Sequence, residues 1–146
     1  STVRAIRAEM NVPAGAQVPL LLRDAGAETL RRLDAHRDVI LRMARLASVE
    51  TLEGPTPKGS VQAVLDEASL ILPLAGFVDI QAERQRLAKE IEKLGAEGAR
   101  IDQKLNNPSF VARAPEEVVE EQRERRADAD AARARYVEAL SRLQDA

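Results

Sequence analysis

The sequence has no cysteine, no tryptophan and a single histidine, His36. Without cysteine, disulfides and thiolate metal sites are excluded. One histidine removes His-cluster zinc sites and confines any His-based triad to that residue. Aromatics are 2% of the chain, namely Phe77, Phe110 and Tyr136. That is too few for platforms that stack nucleic-acid bases. Neither sign of charge dominates, since 22 Lys and Arg face 24 Asp and Glu for a net charge of −2. A uniformly basic nucleic-acid binder is therefore not expected. No apolar run approaches the roughly 20 residues of a membrane span. The first residues lack the apolar stretch of a signal peptide. The expected location is the cytoplasm, with no membrane and no DNA as partner. Catalysis is not expected of this chain, which offers no catalytic, cofactor-binding or metal-binding residues.

What remains is 45% apolar and 32% charged in 146 residues. That suits a packed core together with much exposed helix surface. The composition changes near residue 78. Residues 1–77 hold nine basic and nine acidic residues, which leaves 13 and 15 for residues 78–146. Five of the seven prolines and five of the seven glycines also fall in the first part. Turn-forming residues thus concentrate there, and the remainder reads as long helices.

The first part, residues 1–77, reads as a small α+β domain. Val3 to Met10 suits a helix end, halted at Asn11-Val12-Pro13. Gln17 to Arg23 suits a strand. Ala27 to Arg45 has helical spacing with a break near Ala35-His36. Ser48 to Glu53 alternates as a half-buried strand does. Gly54 to Gly59 lacks P-loop spacing and reads as a hairpin loop. Val61 to Leu65 and Ser69 to Leu74 flank Asp66-Glu67-Ala68, a tight hairpin connection. The expectation is a small antiparallel sheet with helices on one face. His36 has no partner that the sequence justifies, and a surface or capping place is expected for it.

The second part, residues 78–146, reads as a long antiparallel α-helical coiled-coil hairpin, with helices about 79–106 and 115–145 and a tip at 107–114. Ile80, Leu87, Ile91, Leu94, Ile101 and Leu105 recur at intervals of 7, 4, 3, 7 and 4, with Arg84 and Gly98 at the skipped seam positions. Pro108 stops the first helix, and Pro115 suits the first turn of the second. Glu116, Glu117, Glu120 and Glu121 favour the positive end of that helix's dipole. The return seam is read as Val118, Gln122, Arg125, Ala129, Ala132, Tyr136, Ala139 or Leu140, and Leu143. This register puts Tyr136 near Arg84 and Ala132 near Leu87. Arms of roughly 40 Å, at about 1.5 Å per residue, are expected to project from so small a domain. Phe110 and Val111 are expected to fold over the open end of the seam near Leu105.

On a helical wheel Arg86, Lys89, Lys93, Arg100 and Lys104 fall within roughly 60° of one another. Such a stripe can follow a phosphate backbone. Arg86, Lys93 and Arg100 also form i,i+3 pairs with Glu83, Glu90 and Glu97, which merely support a solvated helix. Lys104 and Arg113 bracket the tip, with Arg100 one turn back. Arg123, Arg125 and Arg126 make a second cluster, in which Arg125 is expected to snorkel past the seam.

Arg7-Ala8-Glu9-Met10-Asn11-Val12-Pro13, Pro73-Leu74-Ala75-Gly76-Phe77-Val78-Asp79 and the long tip segment from Asn107 to Val119 are three stretches that resemble the C-terminal end of bacterial valyl-tRNA synthetases. The resemblance covers nearly the whole chain. It departs at Ala14, where the family often has a second proline, and in arms poorer in lysine and richer in glycine. The signature motifs of the family's catalytic domain are absent. The resemblance implies a fragment of a larger enzyme, in which ATP is used elsewhere and no cofactor is held by this chain. It implies valine-specific tRNA as partner, together with the catalytic and anticodon-binding domains of the same polypeptide. It also implies that the arm touches the outer corner of the tRNA, with Arg86, Lys93, Arg100, Lys104 and Arg113 as candidate contacts. The alternative is a structural or protein-interaction coiled-coil module with no RNA role, using Ala129 and Ala132 for close helix approach. Gly95 and Gly98 each cost up to about 1 kcal/mol within a helix. The distal third of the arm should therefore exchange its amide hydrogens faster than the stretch around Leu87; slower exchange there contradicts this.

Overall fold

The computed structural model describes residues 2–66 and 68–143. Glu67, in the expected hairpin connection, and residues 144–146, at the expected end of the second long helix, lie outside the described residues. The chain folds as two units, Ser1–Arg84 with Ser141–Ala146, and Gln85–Leu140.

The first unit begins with α1 (Thr2–Glu9), β1 (Val18–Arg23), α2 (Ala27–Ala35) and α3 (Arg37–Ala44). It continues with β2 (Leu46–Thr51), β3 (Ser60–Leu65) and β4 (Ala68–Pro73). Among the described residues the strands form one sheet in the order β2-β1-β4-β3. The sheet is mixed, which corrects the antiparallel sheet expected from sequence. β1 pairs with β2 in parallel, with Leu20 opposite Val49, whereas β4 is antiparallel to both β1 and β3. The cause lies in the connection. The two helices α2 and α3 carry the chain back before β2 starts, and such a crossover suits parallel pairing. Gly54 to Gly59 is consequently no hairpin loop. It runs from β2 at one edge of the sheet to β3 at the other.

The core lies mainly on one face of this sheet. Val18, Leu20 and Leu22 of β1 alternate inward with Leu70 and Leu72 of β4 and Val61 and Ala63 of β3. Strict alternation fails in β2, where Leu46 and Val49 are the buried pair. The ladder shifts register between Val18 and Pro19, and Pro19, which has no N–H to offer, sits at that irregularity. The break between α2 and α3 falls at His36, which is exposed and terminates one helix as the next begins.

The loop after α1 is organised by Arg7. Its guanidinium is buried and donates to the carbonyls of Ala16 at 2.8 Å, Pro13 at 3.1 Å and Arg45 at 3.2 Å. Arg45 caps α3 in a left-handed conformation (φ 53°), and its carbonyl also accepts from Val18 N–H. Burial, and secondarily the charge of Arg45, lower the Arg7 pKa, and it remains an arginine that stays protonated. Substitution Arg7→Met should cost about 2–3 kcal/mol of stability, because part-buried carbonyls lose a charged donor. Chemical denaturation checks this, and Arg7→Lys should recover only part of the loss.

Candidate nucleic-acid interface

Three helices follow the sheet: α4 (Ile80–Leu105), α5 (Pro108–Arg113) and α6 (Glu116–Arg142). α4 starts after Asp79, whose carboxylate accepts from Ala82 N–H at 3.0 Å as a cap. The tip is itself helical. Asn107 caps α5 by accepting from Ser109 N–H at 3.0 Å, and Pro108 fills the first turn. Phe110 is half-buried there, whereas Val111 is exposed and does not close the seam as expected.

Within Gln85–Leu140, α4 buries Leu87, Gly98 and Ile101, and half-buries Ile91, Leu94 and Leu105. That is the seam its spacing predicts. α6 answers with Val119, Gln122, Ala129 and Ala139. Two positions correct the expected return seam. Val119 is 5% exposed and Val118 37%, so Val119 is the inward residue. Arg126, not Arg125, occupies the position between Gln122 and Ala129. Its Nε donates to Asp102 of α4 at 2.8 Å, and Nη1 pairs with Asp130 one turn along. Hydrogen bonding to Asp102 raises the Arg126 pKa further.

Gly98 explains why an arginine fits there. A Cβ at Gly98 would stand 2.5 Å from Arg126 Nη1 and 2.9 Å from Cζ. The missing side chain is the room that the guanidinium occupies. A Cβ at Gly95 would stand an ordinary 3.6 Å from Arg133 Nε. Leu94 shares a cleft with Ala129 and Ala132, and Ile101 shares one with Gln122. Successive partners therefore descend α6 as they ascend α4.

The five candidate cations sit on α4 and α5. Lys93, Arg100, Lys104 and Arg113 are exposed, and Arg86 is half-buried and engaged in an interaction of its own. Arg86, Lys93 and Arg100 repeat every two turns along α4, and Lys104 follows Arg100 by one turn. Arg100 and Lys104 line a common cleft, of about 260 Å³, with Glu97, Ile101, Gln122 and Arg125. Arg125, expected from the sequence to snorkel past the seam, lines that cleft. Its nearness to Gln122 is legible, but spacing alone assigns it to the seam. Among the described residues no group of His, Asp or Glu is arranged to hold a metal ion. No helix among them is long and apolar enough to cross a membrane.

Residues 79–144 match the family described as Valyl tRNA synthetase tRNA binding arm. The match covers 66 of the chain's 146 residues. Over nearly its whole length the chain is also similar to the C-terminal region of curated valine–tRNA ligases. It is 54% identical to that of Granulibacter bethesdensis over 141 residues, covering 97% of this chain and 16% of the relative. The corresponding figures for Caulobacter vibrioides are 49% identity over 141 residues, 97% and 16%. For Brucella suis they are 46% over 144 residues, 99% and 16%. The chain thus spans about a sixth of the length of the curated relatives it matches.

The two arm glycines should respond differently to alanine. Gly95→Ala should stabilise by up to about 1 kcal/mol, since the helix gains propensity and the new methyl meets its neighbour at an ordinary distance. Gly98→Ala should gain less, because the guanidinium must leave Asp102. The difference should vanish in an Arg126→Ala background, as thermal unfolding of the four variants would measure.

Proposed function

We propose that this chain is a tRNA-binding appendage of a valine–tRNA ligase, with α4 and α6 forming an antiparallel coiled-coil arm. The observation that carries this reading is the match of residues 79–144 to the tRNA-binding-arm family. In this reading residues 1–77 form the small α+β domain that follows the anticodon-binding region, and residues 78–146 form the arm. The arm touches the outer corner of the tRNA, and Arg86, Lys93, Arg100, Lys104 and Arg113 hold its phosphates. The parent enzyme attaches valine to tRNA at the expense of ATP in catalytic domains elsewhere in the same cytoplasmic polypeptide. The chain itself supplies binding and does no chemistry.

Physical chemistry supports this division of labour. Exposed arginines and lysines spaced along a rigid helix suit phosphates at intervals. The aromatic poverty of the chain argues for recognition by charge and shape over base reading. The short reach of each cation and the acidic residues between them imply weak binding by the chain alone, with the remaining domains of the parent adding most of the affinity.

The reading is tested in the full-length protein that carries this chain. Lys104→Glu combined with Arg100→Glu should weaken tRNA binding and flatten its salt dependence by roughly 0.7–0.9 in log–log slope for each phosphate that is no longer neutralised. The turnover of a tRNA-independent partial reaction should not change. Unchanged tRNA affinity and slope would remove these residues from the interface.

A further inference from the structure

We propose that the cleft between α4 and α6 takes one backbone phosphate of RNA, held by Arg100 and Lys104 of α4 together with Arg125 of α6. The proposal deepens the tRNA-binding reading above and rests on it. It adds a ligand from the second helix that a stripe along α4 alone does not contain.

The geometry separates this place from the rest of the arm surface. Arg100 and Lys104 are one turn apart on α4, so their side chains leave the helix on the same side. Arg125 reaches the same cleft from the facing helix, and Ile101 and Gln122, both buried, lie at its base. Three cations thus converge on about 260 Å³ with Glu97 as the acidic group among the lining residues. The neighbouring cleft, of about 340 Å³, has the opposite balance. There Arg125 is outnumbered by Glu97 and Asp128, beside Leu94, Ala129 and Ala132. An anion moving along the arm therefore meets an attractive place at Arg100 and Lys104 and a repulsive one a turn away.

The donor chemistry also fits a phosphodiester. Arg125 Nη2 pairs with Glu121 at 3.0 Å, an i,i+4 pairing that steadies the guanidinium. That pairing uses one nitrogen of a planar fork with five N–H donors. Guanidinium and ammonium groups around one oxyanion give charge-assisted hydrogen bonds stronger than neutral ones. No aromatic side chain lines the cleft, which leaves nothing on which a base would stack.

Arg125→Gln and Arg123→Gln remove the same charge from neighbouring positions of α6. Arg123 pairs with Glu120 and does not line the cleft. The 146-residue chain is titrated with mixed bacterial tRNA at several salt concentrations, read by fluorescence anisotropy. Arg125→Gln should weaken binding about 3- to 10-fold at low salt and lower the log–log salt slope by about 0.7–0.9, as expected when one phosphate is no longer neutralised. Arg123→Gln should change neither, and Arg125→Lys should restore the slope. Equal effects of the two glutamine variants overturn the cleft while leaving the tRNA-binding reading standing. A wild-type chain with no salt-dependent tRNA binding overturns the cleft, and the tRNA-binding reading falls with it only if the full-length protein shows none either. In a second arm inorganic phosphate alone is titrated while backbone amide shifts of residues 97–104 and 122–125 are followed. Saturable shifts there, with no effect of Arg125→Gln on tRNA, would assign the cleft to a free anion and overturn the proposal.

Discussion

The described structure depends on where the two long helices are rooted. α4 begins and α6 ends inside the sheet unit, and neighbouring groups of that unit meet each of them. Glu9, the last residue of α1, pairs with Arg142 at 3.0 Å, and Asn11 two residues later donates to Glu83 at 3.4 Å. Leu143 forms an isolated antiparallel bridge to Val61 of β3. Ile80 packs beside Gly59, whose positive φ of 73° and tight approach to Ala75 leave no place for a side chain. These interactions close a loop of chain that leaves at Arg84 and returns at Ser141. Closing so long a loop costs entropy that grows only slowly with its length. The apolar roots and the helix pairing between them offset it together.

Arg7 performs the corresponding task inside the sheet unit. It joins the end of α1, the loop from Pro13 to Ala16 and the left-handed end of α3 through a single side chain. That loop makes few apolar contacts of its own, so its backbone needs polar partners. A guanidinium with a rigid fork of donors serves several carbonyls at once, which an ammonium does not.

Much of this is legible in the sequence because the signals are strong and local. The break at His36, the hairpin flanking Asp66 and the seam of α4 each follow from spacing that has one sensible reading. The parallel pairing of β1 with β2 is hidden, because strand direction is set by the length of the α2–α3 excursion and not by either strand. The seam of α6 is hidden for another reason. Val118 and Val119 are adjacent and equally apolar, and the residues beyond them are mainly alanine and arginine. Hydrophobic periodicity cannot choose between neighbours of equal character. The choice is made by a polar interaction, Arg126 with Asp102, and by the gap at Gly98 that admits it. The cleft residue Arg125 becomes visible only after that choice, since it is the neighbour turned outward.

Gly98 has one more consequence. Alanines along α6 present nearly the same small knob again and again, so they store little information about alignment. A slide of α6 by seven residues would still set alanine against leucine at several levels. It would also carry the Arg126 guanidinium away from the gap at Gly98 and away from Asp102. The glycine thus works as a notch and the arginine as its tooth. Rows of interchangeable small residues supply the adhesion between the helices, and this single mismatch in size supplies the address.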